Sequence, residues 1–217
     1  MLNGFGNLMN LRYRPKETSG IELFFADLRE LGAIQVGAAV RLTCNKTNGF
    51  NVITVQLGGR DHFFPYIRGA GFVDVGPVGG IPEGTIVITG GMNGCSLEVT
   101  VRNGRFVFYH DQNARSMRSV RNPGRTVCRI SPGAYWPLSL AFMPHQYPLV
   151  QFICVFRSGW WHVVGFGVLI DQHNKPVGGF EPKIVFNNGV NRGVRPATAV
   201  DHRYRGYFND SVRLIQD

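Results

Sequence analysis

Acidic side chains are scarce in this chain. Its 217 residues hold 14 Asp and Glu against 23 Lys and Arg, a formal net charge of +9, and charged residues of both signs make up only 17%. That balance favours acidic partners over basic ones. It falls short of a nucleic-acid signature, because the arginines between Arg102 and Arg129 and between Arg192 and Arg213 are interspersed rather than run together. Cysteine is sparse too. Cys44, Cys95, Cys128 and Cys154 form no C-x-x-C pair and no zinc spacing, so they read as free thiols rather than a disulfide framework or a metal site. No apolar run reaches the length of a membrane span. Met1–Arg14 lacks a basic segment followed by an apolar one, so no cleavable secretion signal is expected. The Gly-rich stretch 76–80 lacks the lysine and helix context of a phosphate loop. Internal repeats, low-complexity tracts and linkers are absent as well, and a single domain over 1–217 is expected.

What the chain does have is glycine and phenylalanine, 28 and 16 residues, in a composition that is 44% hydrophobic. That mixture points to many short strands, tight turns and few helices. The pattern predicts an α+β domain dominated by an antiparallel β-sandwich and flanked by a few helices. Residues 1–18 read as a loose lead-in. A helix is expected over 19–32, with Ser19 and Glu22 as a capping box and Gly32 as its end. Three hairpins follow from their turn residues. Val40–Cys44 and Phe50–Leu57 flank Asn48-Gly49, Cys95–Val101 and Arg105–His110 flank Asn103-Gly104, and Leu149–Arg157 and Trp160–Leu169 flank Ser158-Gly159. Gly58–Pro82 reads as an ordered loop region rich in aromatics, and Thr85–Thr89 as a short strand. Residues 111–137 read as an irregular basic segment with a short helix near Asn113–Val120, and Phe180–Phe186 as a last strand.

The second hairpin carries the chemistry. A two-residue turn at Asn103-Gly104 pairs Leu97 with His110, Val99 with Phe108 and Val101 with Phe106. Alternation then puts Cys95, Leu97, Val99, Val101, Phe106, Phe108 and His110 on one face. A thiol and an imidazole thus share one end of an apolar face as diagonal neighbours, roughly 7–8 Å apart along the backbone. An imidazole at that range can take a thiol proton and release the nucleophilic thiolate. The loop Gly90-Gly91-Met92-Asn93-Gly94 leads into Cys95, and its glycines allow backbone N–H groups of Gly94 and Cys95 to aim at a developing oxyanion. Each residue alone has a plainer reading, since buried cysteines usually serve as small hydrophobes and a histidine at a strand end is usually just hydrogen-bonded. Cys154 falls on a core face, and Arg60-Asp61-His62 and Asp201-His202 lack a nucleophile.

The stretch Thr89-Gly-Gly-Met-Asn-Gly-Cys95, with His110 fifteen residues after the cysteine, resembles the active-site signature of bacterial glutamine deamidases. That group comprises the cytotoxic necrotizing factor catalytic domain, the Burkholderia lethal factor and the chemoreceptor glutamine deamidases. The resemblance spans Thr89 to His110, and Asn93-Gly94 stands where toxin members often have Ser-Gly. It implies a β-sandwich with a Cys–His pair on adjacent strands and an accessory threonine at the position of Thr89. It also implies a cofactor-free reaction through a thioester, and a bacterial effector made in the bacterial cytoplasm and delivered to a host cytosol to modify a host protein. A monomer is expected. Arg115, Arg118, Arg121 and Arg125, shortly after His110, are candidates for docking an acidic surface of that substrate; a solvated basic face is the alternative. Two rival readings keep the same residues. One is a transglutaminase or cysteine protease with the same acyl-enzyme logic, and the other is a non-enzymatic basic binding module.

Overall fold

The structure, a computed structural model, describes residues 3–15, 18, 22–135, 145–180 and 206–213. Two β-sheets account for most of these residues, with few helices beside them. The large sheet contains β1 (Leu23–Asp27), β2 (Ala38–Thr47), β3 (Phe50–Leu57), β4 (Asp61–Phe63), β6 (Ile86–Ile88), β10 (Tyr147–Arg157), β11 (Trp160–Ile170), β12 (Pro176–Phe180) and β13 (Gly206–Arg213). Its order is β1-β3-β2-β4-β6-β10-β11-β12, with β13 also paired to β11. The small sheet has the order β5-β8-β7-β9, from β5 (Ala70–Val75), β7 (Ser96–Arg102), β8 (Arg105–Asp111) and β9 (Arg125–Ile130). Most neighbours are antiparallel, but β1 with β3 and β4 with β6 are parallel.

Two cores explain the long apolar runs. Between the sheets lie Val99, Phe106 and Phe108 of the small sheet with Phe152, Cys154 and Trp161 of the large one. On the far face of the large sheet Ile153, Val155, Val164 and Phe166 pack with Leu8 and Leu11 of the helix α1 (Asn3–Tyr13). Strand β10 is therefore covered on both faces, which its unbroken apolar stretch requires. α1 is tied down by a buried ion pair. Arg12 donates to both carboxylate oxygens of Asp61 and to the Gly84 carbonyl, while Asp61 also accepts the Ile86 N–H.

All three hairpins form with the expected turns, and Asn48, Asn103 and Ser158 each take a positive φ at the first turn position. The expected helix over 19–32 does not form: residues 19–21 lie outside the described residues, Leu23–Asp27 is a strand and Arg29–Leu31 one 3-10 turn. Leu23, Phe24, Phe25 and Ala26 are buried in succession, on both faces, by parallel pairing with β3, and that burial outweighs a helical spacing of apolar residues. The lead-in instead holds α1. The Gly58–Pro82 region contains β4 and β5, and the basic segment 111–137 contains β9 after two 3-10 turns at Gln112–Ala114 and Ser116–Ser119. Of the last strand expected over Phe180–Phe186 only Phe180 is described, as the end of β12, and residues 181–186 lie outside the described residues, as do Asp201 and His202; the last strand described is β13.

Candidate active site

The hairpin β7–β8 has the register its turn dictates. Leu97 pairs with His110, Val99 with Phe108, Val101 with Phe106 and Arg102 with Arg105. Cys95 stands one residue before β7 and belongs to the inter-sheet core together with Leu97, Val99, Phe106 and Phe108. His110 lies in β8, an interior strand of the four-stranded sheet, with Leu97 on one side and Gly71 on the other. Both groups are enclosed: Cys95 is 6% exposed and His110 0%.

Thr89 joins the two sheets at this point. It follows β6 of the large sheet, and its hydroxyl lies 2.9 Å from Nδ1 of His110 in the small one. The same hydroxyl donates its proton to the Phe64 carbonyl at 2.7 Å. With that proton committed, the threonine oxygen can only accept, so Nδ1 carries the imidazole proton and Nε2 carries the lone pair. Nε2 is buried and has no hydrogen-bond partner among the described residues. Burial holds the imidazole neutral, lowering its pKa to about 4. Behind Thr89, Gln151 donates to the Thr89 carbonyl at 2.7 Å and accepts the Ala26 N–H, which fixes the end of β6 from the far side.

Burial also raises the Cys95 pKa, opposed by the Asn113 backbone N–H, which favours the thiolate, and reinforced by the charge of Asp111. Desolvation raises the other thiols as well, Cys44 and Cys128 to about 12 and Cys154 well above its usual range. Asn113 and Ala114 both occupy the left-handed region, at φ 55° and 56°, in the turn that brings this N–H back toward the thiol. Two consecutive non-glycine residues there are costly backbone. Asp111 supports the turn by accepting the Ser116 and Met117 N–H groups.

Gly94 has φ 138°, open to glycine and strained for other residues. Its N–H, expected from the sequence to face an oxyanion, is donated to the Tyr135 hydroxyl at 3.1 Å. Arg115, Arg118 and Arg121 are exposed on the segment between β8 and β9 and Arg125 is exposed at the start of β9, and none forms an ion pair with a carboxylate among the described residues. Asp61 of the Arg60-Asp61-His62 run is committed to Arg12.

Sequence reasoning missed Tyr66, Gln112 and Tyr135. The Tyr66 ring lies 5.0 Å from the His110 ring and is 55% exposed, so it forms the outer wall of the site. Gln112 ties this wall to β8, donating to the Tyr66 hydroxyl and accepting the Gly69 N–H. The wall can sit so close because a Cβ on Gly71, the neighbour of His110, would come within 1.9 Å of the Pro65 carbonyl oxygen. Nothing local in the sequence links these residues to Cys95, since tertiary packing brings them there.

No protein-family model matches this sequence, and no curated protein matches it either. Among solved structures, the C-terminal domain of CNFy from Yersinia pseudotuberculosis is similar at a TM-score of 0.33 and 12% identity, over 70% of each chain.

Proposed function

We propose that this chain is a cysteine-dependent protein-glutamine deamidase of effector type, with Cys95 as nucleophile, His110 as base and Thr89 as the residue that orients it. The observation that carries this reading is the Thr89–His110 contact, which leaves Nε2 unprotonated and unpartnered on the face shared with Cys95. The match of Thr89, Cys95 and His110 to the deamidase signature supports the same assignment.

Because burial disfavours both the thiolate and the imidazolium, both groups rest neutral, as thiol and as imidazole. Proton transfer therefore accompanies attack. The thiol proton passes to Nε2 as sulfur bonds to the carboxamide carbon of a substrate glutamine. The oxyanion is met by the backbone N–H groups of Cys95 and Asn113. The imidazolium returns its proton to the departing nitrogen, the C–N bond breaks and ammonia leaves, with a thioester remaining. Nε2 then takes a proton from water, hydroxide adds to the thioester, and glutamate leaves as the thiol is restored. No cofactor takes part. The substrate is a protein with an acidic surface, bound by a monomer of this chain.

Ammonia release from host-extract proteins, with mass spectrometry of the modified glutamine, tests this. Cys95→Ser and His110→Ala are each expected to abolish release nearly completely, and the double variant to be little worse, because residues acting as a unit lose activity non-additively. Thr89→Ala should cost less. Full activity in Cys95→Ser or His110→Ala would rule the mechanism out. Amine incorporation or chain cleavage in place of net deamidation would select the transglutaminase or protease reading.

A further inference from the structure

The turn carrying the nucleophile is pinned at two points. Met92 forms an isolated bridge with Val150 of β10, each N–H reaching the other's carbonyl at 2.8 Å. Three residues on, the pin is a side chain. Tyr135 ends a one-turn helix, α2 (Pro132–Tyr135), is 0% exposed, and packs edge-on against Phe152 at 5.3 Å. Its hydroxyl accepts the Gly94 N–H at 3.1 Å and donates to the Cys95 carbonyl at 2.8 Å. Burial pushes this phenol up, so it keeps the proton it donates.

These two contacts bracket the torsions that matter. The N–H of one residue and the carbonyl of the next converge on one oxygen atom, which fixes the backbone of Gly94 and Cys95 between them. That backbone in turn sets the direction of the Cys95 side chain. Gly94 holds φ 138°, a conformation that its neighbours must maintain because an unrestrained glycine has many others. We infer that Tyr135 is the positioning residue of Cys95, its hydroxyl holding the turn that aims the thiol along the face it shares with His110. Tyr135 touches neither the thiol proton nor the carboxamide in this role. It also makes the Gly94 N–H unavailable to an oxyanion, leaving that task to the N–H groups on either side of the thiol.

As a statement about catalysis this rests on the deamidase reading, but its deciding test does not. The full-length chain and its Tyr135→Phe variant are compared by the rate of Cys95 alkylation with iodoacetamide across neutral and alkaline pH, read by peptide mass mapping. The variant keeps the ring and its packing and loses only the hydroxyl. Its Cys95 pH–rate profile is expected to shift, because the direction of the thiol relative to His110 and the Asn113 N–H is no longer held, while Cys44, Cys128 and Cys154 stay as protected as in the parent chain. Deamidation by the variant should fall on the order of 100-fold in kcat with KM little changed, as for a misplacement of about 1 Å. Gly94→Ala perturbs the same turn by another route. Its new Cβ meets no atom within 4 Å, so it acts on the backbone alone, and it should shift the profile in the same way. An unchanged Cys95 profile in Tyr135→Phe overturns the inference, whatever the activity. A shifted profile in Tyr135→Phe, with a parent chain that releases no ammonia from any protein, would uphold the positioning role and remove the deamidase reading.

Discussion

His110 shows how one side chain can be read at the residue scale. Its Nδ1 is held by a hydroxyl that has already given its proton away, and its Nε2 has no partner among the described residues. An imidazole buried neutral in this way makes folding pH-dependent. In the folded chain its pKa is about 4, against 6.5 for the free group. Between those values the unfolded chain binds a proton that the folded chain refuses. Stability is therefore complete above the unfolded value and is lost as pH falls toward the folded one, by at most about 3 kcal/mol. His110→Gln has no such titration. Urea unfolding at neutral pH and near pH 4.5 should show the parent chain losing more stability than this variant. Equal losses would mean that the imidazole is solvated in the folded chain.

Among the elements, the helix α1 is held by a buried ion pair as well as by the packing of Leu8 and Leu11. Arg12 reaches Asp61, and Asp61 in turn holds the N–H at the start of β6. Side chains of both are nearly fully buried, 6% and 2% exposed. Removing one partner leaves the other charge buried and unpaired. Arg12→Ala is therefore expected to destabilise the chain by about 3–5 kcal/mol in urea unfolding. Arg29, paired with Asp27 at the surface, serves as the control, because its side chain is 80% exposed and its substitution should change little. The same link bears on the site, since Thr89 directly follows β6.

For the whole molecule, the distribution of charge decides how a partner approaches. Seven arginines and one acidic residue, Asp111, lie between positions 102 and 129, and Asp111 is buried. Arg102 pairs with Asp74 and Arg129 with Glu98, but Arg115, Arg118, Arg121 and Arg125, which follow His110, pair with no carboxylate among the described residues and present positive charge. If this surface docks the protein substrate, Arg115→Glu with Arg118→Glu should slow deamidation of that protein. Added salt should slow the parent chain in the same way, while a short neutral glutamine peptide reacts as before. An unchanged rate on the protein at low salt would make these arginines a solvated face.

Local chemistry determined a large part of this. Asn103-Gly104 set the register of β7 with β8, and that register alone put Cys95 and His110 on one face. The other two hairpins were legible for the same reason, because a two-residue turn admits few backbone conformations and each specifies which residues oppose. Where pairing is not local, the sequence misled or was silent. Residues 23–27 have apolar residues at helical spacing, yet they form a strand because β3 lies alongside and both faces are covered. Strands β5 and β9 were hidden in segments rich in glycine, proline and arginine, and exist because β8 and β7 offer them open edges. The site divides along the same line. Thr89, Cys95 and His110 lie within one supersecondary unit and its approach. Tyr66 and Tyr135 reach them only through tertiary packing, Asn113 only through the left-handed turn that leaves β8, and contacts of that kind leave no period or spacing in the chain.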